Sequence, residues 1–187
     1  MSTIQLLALS DAQNDLVQVL VEPLRETFQA DVELAASPID LTQFFDVKRG
    51  QFNSTAILHV IKNQLANRHR NLRFKTHATK VALGVTGADL FIPILTYVFG
   101  EAELNGSAAV VSYYRLQNER YALPANRTLL EQRLIKEAVH ELGHVLGLLH
   151  CQSPECVMHS SSYVEDIDLK SSEFCRSCKT SLFPRRK

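Results

Sequence analysis

The sequence has no tryptophan, and Met158 is its only methionine after the initiator. Aromatic residues make up 7% of it. It also lacks net charge, because 20 Lys and Arg balance 20 Asp and Glu. That balance argues against a protein that holds nucleic acid or a membrane surface by bulk charge. No apolar run reaches the ~20 residues needed to span a bilayer. The stretch from Met1 to Ser10 lacks the basic region and small-residue cleavage site of a secretory signal, and Asp11 follows at once. A cytoplasmic location is therefore expected. No cysteine precedes Cys151, whereas a disulfide-stabilised secreted domain would spread its cysteines through the chain. Internal repeats and low-complexity segments are missing too. What is present is ordinary for a globular protein: 187 residues, 45% hydrophobic and 21% charged. That length suits one domain, which buries roughly 70% of its unfolded surface and needs no disulfide staples.

The mostly apolar residues 3–9 read as a strand buried on both faces. Leu16, Val19, Leu20, Leu24 and Phe28 form a helical stripe over 12–28, with Pro23 a potential kink or stop. Residues 31–35 alternate as a second strand, and Ser37-Pro38 opens a connection. Ser54 to Ala66 is expected to be a helix burying Ile57, Leu58, Ile61 and Leu65. The basic run from Arg68 to Lys80, with His69 and His77, reads as a solvated segment. Residues 81–86 suit a central strand, with a turn at Gly87-Ala88-Asp89. Tyr97 to Glu101 and Ala108 to Tyr114 are expected to pair around Asn105-Gly106, a strong hairpin signal. A long helix is expected from near Thr128, with Thr128 and Glu131 at capping-box spacing, through Leu134, Ala138 and Leu142 to Gly147. This order predicts an α/β fold, a mixed sheet with helices packed on it. The Pro-Arg-Arg-Lys tail is expected to fray.

The chemistry is concentrated after residue 139. His140 and His144 are four apart on the expected helix, so their imidazoles share a face and can grip one ion. Glu141 is offset by about 100°, where its side chain can reach a metal-bound water without being a ligand. Gly147 suits a left-handed helix end that reverses the chain, and His150 can then return as a third ligand. Three imidazoles leave a fourth position on zinc for water, the arrangement of a catalytic site. Zinc lowers that water's pKa towards ~7, and Glu141 would take its proton as it attacks a carbonyl.

Cys151 and Cys156 form a C-x4-C pair, and Cys175 and Cys178 a C-x2-C knuckle. Two thiol pairs joined by a loop fit a closed four-cysteine zinc site that stabilises the fold. An iron–sulfur cluster or a redox pair at Cys175 and Cys178 are the alternatives. His150 and Cys151 are neighbours, yet in an extended segment successive side chains point to opposite sides, so they are assigned to different metals. His159 is close enough to be a spare ligand.

The long histidine motif, the Cys directly after its third His, the C-x4-C pair, a Met two residues on and the distant C-x2-C together resemble the archaemetzincins, a branch of the metzincin zinc peptidases. The resemblance covers 140–178. It implies a metzincin-like α/β (α+β) fold: a mostly parallel twisted sheet, backing and active-site helices, and a small C-terminal part stabilised by a four-cysteine zinc. It implies one catalytic domain over 1–187, with the sheet and helices in 1–147 and the third His, Met-turn and four-cysteine site in 148–187. It also implies two zinc ions, Glu141 as general base, Met158 as the Met-turn methionine and a peptide or protein substrate. Tyr97 to Glu101 is the candidate edge for binding peptide by strand addition. Tyr113, Tyr114 and Tyr163 are candidates to assist an oxyanion, though each also fits a packing or surface role. A zinc metalloprotease is thus expected, with a zinc-stabilised binding protein whose peptidase site is idle as the alternative. A nucleic-acid-binding zinc module, suggested by the Cys pairs and Arg185-Arg186-Lys187, is disfavoured by the neutral charge.

Overall fold

The computed structural model describes residues 3–37, 39–71 and 80–183, without the side chains at 36, 68–71 and 80. The tail from Pro184 and most of the basic run, including His77, lie outside the described residues. β1 (Thr3–Ala8) leads into α1 (Asn14–Gln18), α2 (Val21–Phe28) and β2 (Asp31–Ala36). The single helix expected over 12–28 is thus two. Pro23 has no N–H to donate to the Val19 carbonyl, so the chain breaks there and Pro23 falls in the first turn of α2, where a proline is tolerated.

Residues 39–53 carry no clear periodicity, and the structure folds them into a 3-10 turn (Leu41–Phe44), β3 (Phe45–Asp46) and β4 (Gln51–Asn53). The helix expected from Ser54 is α3 (Ser54–Asn71), five residues longer than read from sequence. β5 (Lys80–Thr86) and β6 (Leu90–Phe91) follow. β3 and β4 pair antiparallel and β4 pairs parallel with β6 in a small second sheet.

The expected hairpin forms, but shorter, as β7 (Gly100–Ala102) and β8 (Ala108–Ser112). Tyr97 and Phe99 lie outside the main ladder, and Val98 instead bridges Leu90 of the small sheet. The main sheet runs β2-β1-β5-β8-β7, parallel except for β7, which pairs antiparallel with β8 at its edge. Its central strands are apolar on both faces because both are covered. Ile4, Leu6, Val81, Leu83, Val85, Ala109 and Val111 face one core with α1, α2 and α4 (Arg127–Val145). Leu7, Leu9, Ala82, Ala108 and Val110 face the other with Ile57, Leu58 and Ile61 of α3.

α4 begins one residue before the expected capping box. Asn126 accepts the Leu129 N–H at 3.0 Å, and Glu131 pairs with Arg127. The C-terminal segment then folds back along α4 through α5 (Val164–Leu169) and α6 (Arg176–Leu182). Polar clamps bind it there. Arg133 donates both to Asp168 and to the Leu116 carbonyl, Lys136 reaches the Ile167 carbonyl, and the buried Lys170 ammonium meets Glu137 at 2.9 Å. Val157, Met158, Val164 and Ile167 enter the same apolar core as the sheet. No helix among the described residues is long and apolar enough to cross a membrane.

Candidate active site

The last turns of α4 place His140 and His144 on one face, with Nε2 atoms 3.1 Å apart. His140 Nδ1 lies 2.8 Å from the Val157 carbonyl and His144 Nδ1 2.7 Å from the Leu148 carbonyl. A carbonyl only accepts, so each Nδ1 carries the proton and each Nε2 keeps a lone pair for a metal. Burial, with Lys170 behind it, holds the His140 imidazole well below its usual pKa, and burial also lowers those of His144 and His150. Neutral imidazole is the ligating form.

Gly147, at φ +94°, ends the helix. Its N–H bonds the His144 carbonyl, and Leu148 N–H the Gly143 carbonyl, both at 2.9 Å: a left-handed reversal that only a residue without Cβ makes cheaply. The reversal buries Leu148 and returns His150, whose ring centre lies 5.3 Å from that of His140 and 4.9 Å from that of His144. One nitrogen of each imidazole then lies within 4.8 Å of the others, so the three could hold one ion.

Glu141 points beside this cluster and is buried. Burial pushes its carboxyl well above the usual range, and nearby Glu137 adds to the effect. Gly100 makes room for it: a Cβ there would lie 2.7 Å from Glu141 Cγ and Oε1. At Gly143, inside α4, a Cβ would run into the Met158 thioether and press on Phe174. Met158 is fully buried there, and its carbonyl takes the Cys151 N–H at 2.9 Å.

His140, Glu141 and His150 open into a cleft of about 510 Å³. One wall is residues 95–100, running into the sheet edge, and the other is Ser160 to Tyr163, directly after the Met158 turn. Tyr97 spans the two by donating its hydroxyl proton to the Ser162 carbonyl at 2.8 Å. Burial keeps that phenol protonated and a donor. Of the three candidate tyrosines, Tyr163 alone lines this cleft. Tyr113 is buried against Asp11 and Gln13, and Tyr114 bonds Arg120 at a separate surface hollow.

The four thiols gather at the far end of the His150-Cys151 step. Their Sγ atoms lie within 4.8 Å of one another, with Cys151–Cys175 and Cys156–Cys178 each at 3.8 Å. That excludes disulfides, whose sulfurs are about 2.05 Å apart. It matches the roughly 3.8 Å edge of a thiolate tetrahedron with 2.3 Å metal–sulfur bonds. Backbone N–H groups of Ser153 and Cys175 point at Cys151 and Cys156. The Cys178 N–H and the neighbouring thiols bring the Cys175 thiol down to about 7, while burial pushes Cys178 up. His159 is not among the residues whose ligand atoms gather at either cluster, and its Nδ1 lies 2.9 Å from the Cys151 carbonyl.

Sequence reasoning missed Glu137, Ser161, Tyr97 as a side chain, Gly100 and Lys170. Glu137 alone left a signal, since positions 137, 140, 141 and 144 share one helical face. The others depend on chain segments far apart in sequence.

Comparison with known proteins gives one answer. The model of peptidase family M54 matches residues 35–183. The archaemetzincin of Methanocaldococcus jannaschii is 37% identical over 94% of this chain and 89% of its own. That of Archaeoglobus fulgidus is 41% identical over 89% and 90%. Its crystal structure superposes with a TM-score of 0.76 over 96% of this chain and 99% of that one, at 39% identity. A zinc-dependent peptidase from Methanocorpusculum labreanum superposes with a TM-score of 0.86 over 96% and 100%, at 28% identity. The chain belongs to peptidase family M54, the archaemetzincins, and is a zinc metallopeptidase.

Proposed function

We propose that the chain hydrolyses peptide bonds with Glu141 as general base and with two zinc ions, one held by His140, His144 and His150 and one by the four cysteines. The observation that carries the reading is the set of three imidazoles whose protonated Nδ1 atoms, on His140 and His144, are tied to backbone carbonyls, with a buried carboxylate beside them in an open cleft. Zinc, when bound to the histidines, polarises the scissile carbonyl and lowers the pKa of a coordinated water. The chain's own residues do the rest. Glu141 accepts the water proton at its carboxylate and hands it to the leaving amine. The segment 97–100, which runs into the sheet edge, and the wall at 160–163 hold an extended peptide between them. Tyr163 stands exposed in the second wall and is the tyrosine of the three left to assist an oxyanion.

The cysteine site closes the chain beyond His150 and so fixes where that ligand sits. Residues 1–187 act as a single catalytic domain, because 148–183 pack into the same core as the sheet. Four free thiols at one site suit a reducing compartment, which supports action in the cytoplasm. Elemental analysis of protein purified without chelator should give two zincs per chain. Glu141→Ala should keep both and lose hydrolysis of a peptide library. Unchanged hydrolysis would overturn the mechanism, and an idle wild-type protein with both zincs bound would favour a binding role.

A further inference from the structure

The floor of the cleft is more polar than water activation requires. Glu137 sits one helical turn before His140 and Glu141, is 3% exposed, and its side chain lines the cleft. It is held there by Lys170, whose ammonium is fully buried and also donates to the His159 carbonyl at 3.2 Å. Ser161 stands in the second wall of the same cleft, and its buried hydroxyl oxygen has no hydrogen-bond partner. A buried hydroxyl without a partner costs free energy unless something binds it. Neither group is needed to hold a metal or move the catalytic proton.

We infer that Glu137 and Ser161 form a specificity subsite for the substrate residue flanking the scissile bond, and that this subsite takes a side chain ending in N–H donors. The inference rests on the peptidase reading above and adds the substrate class to it. A carboxylate can only accept, and a hydroxyl accepts as well as donates. An ammonium, guanidinium or carboxamide group offers donors to both, whereas an aliphatic side chain leaves the Ser161 hydroxyl unpaired and a carboxylate meets the like charge of Glu137. A site built to hydrogen-bond its substrate rejects analogues that lack the partner, because its own buried polar groups are then stranded. Apolar wall residues, Leu95 and Phe99, cover the stem of such a side chain.

The test measures binding and cleavage separately, on full-length protein carrying its zinc. Peptides identical except for Gln, Lys, Leu or Glu on either side of one bond are titrated into the Glu141→Ala protein by calorimetry and digested by the wild type. Gln or Lys at one of the two positions should bind at least ~10-fold more tightly than Leu, with Glu weakest. Ser161→Ala removes an unpartnered hydroxyl and should leave zinc content and melting unchanged while cutting the preference several-fold. Glu137→Leu with Lys170→Met removes both buried charges together and should abolish it. A flat ranking across the four peptides, or the same ranking in both variants, overturns the subsite. Preferential binding without cleavage by the wild type would sink the hydrolytic reading and leave the subsite standing.

Discussion

Two glycines decide how the reacting groups are packed. At Gly100 any side chain would press on Glu141, which is itself enclosed. Gly100→Ala is expected to move that carboxylate and cut kcat by ~10- to 100-fold, since a displacement of about 1 Å costs that much. Zinc content should stay the same, and elemental analysis beside steady-state kinetics separates the two. Gly143 sits inside α4, where alanine would gain about 1 kcal/mol of helix propensity. Yet its Cβ would collide with the buried Met158 side chain, and overpacking costs about 1–3 kcal/mol. Gly143→Ala is therefore expected to lower the melting temperature by ~2–4 °C, against the propensity trend.

The elements meet at the site through their ends. The loop between β7 and β8 does more than turn the chain: Asn105, at φ +51°, donates to the His144 carbonyl at 2.9 Å and Gly106 to that of Val145 at 3.0 Å. Orphan carbonyls at the end of α4 are thereby satisfied. The wall after Met158 is braced by Asp166, whose carboxylate accepts the N–H groups of Ser162 and Tyr163 at 2.8 and 2.9 Å. Those bonds hold its carboxyl below the usual Asp range. A depressed carboxylate stabilises the fold above its unfolded pKa of about 3.9 and loses that contribution as pH falls through the lower folded value. Asp166→Ala should cost about 1 kcal/mol at neutral pH. In denaturant titrations the difference from wild type should shrink as pH falls through the lowered folded value. The Tyr97–Ser162 bridge joins the two walls of the cleft.

The whole molecule is a sheet covered on both faces, with its C-terminal segment clamped along the helix that carries the histidines. Several clamps are buried charges: Arg133 is 4% exposed, Glu137 3% and Lys170 2%. Breaking one such pair strands its partner, at roughly 3–5 kcal/mol. Lys170→Met alone should therefore unfold the protein at a markedly lower denaturant concentration. The cysteine site holds the same segment from its other end, with Cys156 and Cys178 buried. On the two-zinc reading, graded chelation should act in two stages. The histidine site, open to the cleft through the exposed His150, should lose its metal first, with hydrolysis stopping and the fold intact. Stripping the thiolates should then lower the melting temperature, as differential scanning calorimetry would show, because binding energy at such a site is folding free energy.

Much of this was legible in the linear order of residues, and the reason is local. Helix periodicity fixes where positions 140, 141 and 144 point, a glycine three residues later reverses the chain, and metal ligands cluster because short spacings suffice to surround an ion. Strands buried on both faces announce themselves as unbroken apolar runs. The split of the first helix ahead of Pro23 could be anticipated in kind but not in place, and the weak pattern of 39–53 hid the small sheet altogether. What required the folded chain was every contact between distant segments: Gly100 against Glu141, Met158 against Gly143, Tyr97 across to Ser162, Lys170 beneath Glu137. A sequence carries the chemistry of each group and the geometry of its own turn of backbone. Which groups from elsewhere desolvate it, pair with it or wall it in depends on how whole elements pack, and that packing is settled by the sum of many small, non-local terms.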